Sequence, residues 1–115
     1  MSSRRTSEHA SRQDRLDLVF HALAARTRRV LLARLAHRPA TITDLAEPFD
    51  ISLPAVSRHI RVLERARLVR RTVDGRIHRC SPTVEPLKAV DVWLGHYRHF
   101  WEGTLDALAN YVERE

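Results

Sequence analysis

A mainly helical fold with one small β element, the α+β class, is what this 115-residue sequence predicts. Three observations carry the prediction. Apolar residues recur at spacings of three and four over most of the chain. The pair Asp74-Gly75 sits between two short β-type runs and marks a hairpin. After Thr83 an apolar seam close to a heptad runs almost to the end.

The elements follow in order. Residues 1–13 are polar, rich in Ser and Arg and without periodicity, which predicts a disordered basic arm ahead of one domain over 14–115. Leu16, Val19, Phe20 and Leu23 follow the pattern of an amphipathic helix. Thr27 is placed to N-cap a second helix through Val30, Leu31 and Leu35 to about His37, with Pro39 ending it. Thr43 and Asp44 open a short helix that stops near Pro48. Ser52 caps the next helix, about 53–66, with Pro54 tolerated in its first turn. There Val56, Ile60 and Leu63 form a buried stripe, and Pro54, Ala55, Ser57, Arg58 and Arg61 fall on the other side.

The hairpin spans 68–81. Taking Asp74-Gly75 as its loop pairs Val73 with Arg76, Arg71 with His78, Arg70 with Arg79, and Val69 with Cys80. Arg70 opposite Arg79 sets like charges side by side, which calls for a nearby anion or for side chains splayed into solvent. Thr83 is then placed to cap a helix of about 83–113 with Pro86 in its first turn. At ~1.5 Å per residue it would be about 45 Å long. Leu87, Val90, Leu94, Tyr97, Trp101, Leu105, Leu108 and Val112 form its seam; Trp93, Phe100, Ala107 and Tyr111 form a second apolar face. Two apolar faces call for two partners, the body of the same subunit and a second copy.

Charge is concentrated. The formal net charge is +6 and the sequence pI about 10.9, which points to a polyanionic partner. Ser52–Arg79 holds eight arginines against two acids, a net +6, whereas residues 83–115 carry −3. Arginine outnumbers lysine 19 to 1, a ratio that composition alone does not interpret. No stretch approaches the ~18 apolar residues that span a bilayer, and the N-terminus has no secretory h-region, so the expected site of action is the cytoplasm. A lone cysteine, Cys80, excludes an internal disulfide. Neither a nucleophile–base pair nor a glycine-rich phosphate loop is evident, so no enzymatic activity is expected.

Helix, helix, short helix, basic helix, hairpin, long helix is the order of a winged helix-turn-helix with flanking N- and C-terminal dimerisation helices. The segments ALAARTRRVLLARLA, TITDLAEPFDISLPAVSRHIRVLERARLV and DGRIHRCSPT resemble the ArsR/SmtB family of bacterial winged-helix repressors. The tail resembles a branch whose last helix is rich in aromatics. The chain departs from the family in having Ala25-Arg26 where Asp-Pro is frequent, and Arg67 where Gly is frequent. Gly there closes a helix in left-handed geometry, so Arg67 is expected to find another route or to use its charge near DNA.

The resemblance implies a homodimeric, sequence-specific regulator of transcription, a repressor bound to an imperfect inverted repeat in double-stranded DNA. Pro54, Ala55, Ser57, Arg58 and Arg61 would face base edges, Arg58 donating to guanine and Pro54 and Ala55 touching a thymine methyl. Ser52 and Thr43 would hold phosphate at helix N-termini. His59 is expected to be structural or to contact phosphate. Arg76 would enter a minor groove from the wing tip, with Arg71 and Arg79 on phosphates. Leu16, Val19, Phe20, Leu94, Tyr97, Trp101, Leu105 and Leu108 are the expected dimer interface.

The alternative is a metal- or ligand-responsive sensor-repressor working through the last helix. Relatives that bind metal through two cysteines on the short helix have no counterpart here, since TDLAEPF contains none. A second family site on the last helix, shared across the dimer so that the carboxylate comes from the other subunit, aligns with Thr83, Glu85, His96 and His99. Thr83 is a poor ligand, so no cofactor is expected; Glu85, His96 and His99 remain the candidates for Zn²⁺ or another divalent metal.

Overall fold

A computed structural model describes the backbone of residues 2–114 and the side chains of residues 11–114; Met1 and Glu115 lie outside the described residues. The order is α1 (Ser2–Leu23), α2 (Arg26–His37), β1 (Ala40–Thr41), α3 (Ile42–Ala46), α4 (Leu53–Arg65), β2 (Val69–Asp74), β3 (Ile77–Pro82) and α5 (Glu85–Arg114). The three strands form one antiparallel sheet in the order β1-β3-β2.

Helix α1 begins at Ser2, so residues 2–13 are helical where a disordered arm was expected. The stretch contains neither proline nor glycine. Once its packed end around Leu16 and Val19 is formed, each further residue adds a hydrogen bond without a new nucleation cost.

Three helix starts differ from expectation. Thr27 lies inside α2; Ala25, extended at φ −118° and ψ 132°, precedes the helix and offers no side-chain cap. Thr41 caps α3, its Oγ1 accepting from the Asp44 N–H at 3.1 Å, so Thr43 is one residue inside. Helix α5 opens at Glu85, and Thr83 instead donates its N–H to the Leu68 carbonyl at 2.8 Å. Ser52 caps α4 as its position implies, accepting from the Ala55 N–H at 3.3 Å.

The hairpin register also differs. The loop is Gly75-Arg76, with Asp74 paired to Ile77, Thr72 to Arg79, Arg71 to Cys80, Arg70 to Ser81 and Val69 to Pro82. Gly75 has φ 61° and Arg76 stays at negative φ, the type II′ pattern that wants glycine first. A type I′ loop on Asp74-Gly75 would have needed positive φ at Asp74 as well. The Arg70–Arg79 like-charge pair therefore does not form. The shift is even, so every side chain keeps its face, and Val69 and Cys80 are still buried. The two-residue strand β1, too short to read from sequence, covers β3 through Ala40 opposite Cys80.

Arg67 closes α4 in left-handed geometry at φ 61°, the position for which glycine is suited. Its N–H donates to the Glu64 carbonyl and that of Leu68 to the Leu63 carbonyl, both at 2.9 Å, a complete Schellman closure. The expected alternative route is thus not taken; the strain is borne. Because Arg67 is exposed, Arg67→Gly is expected to raise stability by about 0.5–1 kcal/mol, read from urea midpoints at equal protein concentration. An unchanged or lower midpoint would show that the arginine is held by something other than backbone closure.

The core gathers Val19 and Ala22 of α1, Leu31 and Leu35 of α2, Leu45 of α3, the Val56/Ile60/Leu63 stripe of α4, and Leu68, Val69 and Cys80 of the wing. Leu87 and Val90 at the start of α5 pack against it, but no residue of α5 is buried. The rest of α5 projects away. The radius of gyration is 19.1 Å, against about 13 Å for a compact 100-residue domain, and the molecule is 63 Å long.

Candidate nucleic-acid interface

Helix α4 turns its stripe inward and leaves Pro54, Arg58 and Arg61 exposed, with Ala55 and Ser57 half-buried beside them. The wing stands next to its N-terminal end. Between them lies a cleft of about 520 Å³, which brings together Thr43, Pro54 and Ser57 on the helix side and Arg71, Arg76 and Arg79 on the wing side. Ser52, Ala55, Arg58, His59 and Arg61 do not line this cleft; the exposed ones form the face of α4 outside it. Among the described residues no hydrogen bond or ion pair takes up the guanidinium of Arg58, Arg61, Arg76 or Arg79.

Other arginines are spent on the fold. Arg28 donates through Nε to the Ala22 carbonyl and through Nη2 to the His21 carbonyl, both at 2.8 Å, and Arg29 to the Leu23 carbonyl at 2.7 Å. These are carbonyls of the last turn of α1, which lack a full set of helical donors; that of His21 also accepts from the Ala24 N–H at 3.2 Å. Arg34 does the same for α3 through the Leu45 carbonyl at 3.1 Å. Arg71, expected on phosphate, is turned to Glu64 at 2.6 Å and is only 15% exposed.

His59 is half-buried and accepts at Nδ1 from Arg28 Nη1 at 3.3 Å, which puts its ring proton on Nε2. Burial, and then the charges of Arg28 and Arg58, hold its pKa below the ordinary histidine value. It is therefore a neutral tie between α4 and the α1–α2 junction. Burial raises the Cys80 thiol above its usual range, against a smaller opposing pull from Arg71.

Sequence reasoning missed six residues of the cleft: Thr41, Ile42 and Asp44 around the start of α3, and Leu53, Ile77 and His78. Leu53 continues the spacing of the buried stripe and so reads as core, yet it sits on the first turn, 48% exposed. Ile77 and His78 needed the correct hairpin register.

Two of the expected interface residues belong elsewhere. Leu16 and Val19 are buried within their own chain, because α1 packs its apolar side on the domain before any partner arrives. Phe20 stays partly exposed and meets Trp93 edge to face, ring centroids 5.4 Å apart, and Trp93 meets Tyr97 at 5.0 Å. Leu94, Tyr97, Trp101, Leu105 and Leu108 are all exposed.

Glu85, His96 and His99 do not make a metal site within one protomer. Glu85 lies about 16 Å along α5 from His96 and is paired with Lys88 at 3.1 Å. Among the described residues no three His, Cys, Asp or Glu side chains are grouped to hold a metal. No helix among them is long and apolar enough to cross a membrane.

Residues 23–72 match a family described as a helix-turn-helix domain. The chain is 36% identical over 101 residues to the HTH-type transcriptional regulator Rv2034 of Mycobacterium tuberculosis, covering 86% of this chain and 90% of that protein. It is 41% identical to the ArsR family transcriptional regulator RHA00566, whose crystal structure superposes with a TM-score of 0.74 over 78% of this chain and 93% of that one. The chain belongs to the ArsR family. As an ArsR-family member it is a DNA-binding regulator of transcription with a winged helix-turn-helix fold. It is also 39% identical over 51 residues to the transcriptional repressor SdpR of Bacillus subtilis, 44% of this chain and 57% of that protein.

Proposed function

We propose that this ArsR-family chain is a homodimeric repressor without enzymatic activity that acts in the cytoplasm on an imperfect inverted repeat. Helix α4 of each protomer enters a major groove and each wing tip a neighbouring minor groove, the two half-sites lying about 34 Å apart. Repression follows from occluding the polymerase. The observation that carries the reading is the division of labour among arginines: Arg58, Arg61, Arg76 and Arg79 stand on the α4–wing surface with no partner among the described residues, while Arg28, Arg29 and Arg34 close helices. Similarity to a named repressor supports the sign of regulation. The exposed apolar length of α5 supports the dimer. The reading assigns no metal or cofactor.

The test begins with duplexes selected from a random pool. A selected duplex is expected to bind far more tightly than a random one at the same salt, with affinity falling steeply as salt rises. Arg58→Ala is expected to cost about 1–3 kcal/mol on the selected duplex and to relax preference at one position, measured by fluorescence anisotropy. An unchanged preference removes Arg58 from base reading. Equal affinity for selected and random duplex removes sequence-specific repression.

A further inference from the structure

We propose that Glu64 is a positioning residue which, through Arg71, locks the wing at a fixed angle to α4. The inference rests on the wing reading above. Glu64 lies one residue from the end of α4, Arg71 in β2 and His78 in β3. Arg71 donates through Nη2 to Glu64 Oε1 at 2.6 Å and through Nη1 to His78 Nδ1 at 3.2 Å. One planar guanidinium therefore ties the helix to both strands of the hairpin.

The arrangement is an expensive way to hold a cation. Glu64 is 30% exposed and Arg71 15%, and Arg71 Nε is buried without a hydrogen-bond partner. Withdrawing an ion pair from water gives little net stability, and an orphaned donor subtracts from it. An arginine kept only for attraction to DNA would stand exposed, as Arg76 and Arg79 do. What the rigid fork does supply is geometry. Among the described residues the hairpin has a single strand neighbour, β1, which covers β3 opposite Ala40 and Thr41, level with the Arg71–Cys80 pair; beyond Arg79 toward the tip no strand flanks it, so the angle of the tip depends on what holds the hairpin at that level. Arg71 and His78 are diagonal neighbours on one face of that ladder, the spacing at which long side chains meet.

The test is a double-mutant cycle on the full chain with a selected duplex. Arg76→Ala is made in the wild-type and in the Glu64→Gln background. It is expected to lower affinity about tenfold in the wild type and less than about twofold beside Glu64→Gln, because a wing without its strut no longer delivers Arg76. A Glu64 that merely held the fold would lower the melting temperature and leave the cost of Arg76→Ala unchanged. Should Glu64→Gln fail to fold, Glu64→Leu with Arg71→Met serves as the second background, since replacing both partners by apolar residues leaves no buried charge unpaired. Equal costs of Arg76→Ala with and without the strut overturn the inference alone. No cost in the wild type overturns the wing reading, and the inference with it.

Discussion

Leu105→Asp combined with Leu108→Asp is expected to convert the dimer to a monomer and to lower affinity for a two-half-site operator by about a hundred- to ten-thousand-fold. The two leucines lie one turn apart on α5 and are 62% and 59% exposed in the protomer. Trp101 and Val112 continue the same side at 60% and 65%. Burying one leucine contributes about 1.5–3 kcal/mol, and a two-fold pair would bury four. Four carboxylates in their place would have to be desolvated without partners. The protomer itself should keep its fold, because neither leucine belongs to the core and α5 stays attached through Leu87, Val90 and the Phe20–Trp93 contact. Sedimentation gives the oligomeric state and far-UV circular dichroism the fold. Affinity for an isolated half-site should match the wild type, which separates lost bivalency from damage to α4. A variant that remains dimeric, or a monomer that binds the full operator as tightly as before, would remove α5 from the dimer seam.

The same helix shows where sequence reading succeeds. Its existence, length and amphipathic faces follow from spacing alone, and so does the α4 stripe. Leu16 and Val19 carry the same periodic signal as Leu94, but periodicity cannot say whether the domain itself or a second copy covers an apolar face. In the structure the domain covers Leu16 and Val19 of α1 and leaves α5 beyond Val90 largely exposed. The hairpin was legible as a hairpin and misplaced by one loop position, because Asp74-Gly75-Arg76 satisfies two turn types that both put Gly75 at positive φ, and only the φ of Asp74 separates them. Caps failed for a similar reason: Thr27, Thr43 and Thr83 each stand within two residues of the true start, and side-chain identity alone does not fix which one is extended. The arginines were least legible. Counted as charge they form one basic patch. Placed in space they divide into those that bond carbonyls, histidines, Glu64 or Asp91 and those with no partner among the described residues, and composition holds no trace of that division.

Arg28→Met is expected to cost about 2–4 kcal/mol of stability, more than loss of a surface charge would. Arg28 closes two carbonyls at the end of α1 and reaches His59 on α4, so three helices meet at one guanidinium. Methionine keeps the aliphatic stem and removes every donor. The sign of the pH effect follows from His59. Its folded pKa lies below the unfolded value of 6.5, so the unfolded chain takes the proton more readily. The contribution to stability is complete above pH 6.5 and is lost as pH falls from there through the lower folded value. In Arg28→Met the larger cause, burial, persists and the Arg28 charge is gone, so the loss between pH 7.5 and 5.5 should shrink without vanishing. His59→Gln should abolish that histidine's share of it altogether. Urea unfolding of the three proteins at both pH values, at one protein concentration, measures each part. If Arg28→Met cost less than about 0.5 kcal/mol, water would be serving the α1 carbonyls equally well. The arginine would then be as replaceable as its surface position in sequence suggests, and His59 would have to hold α4 against α1 by packing alone.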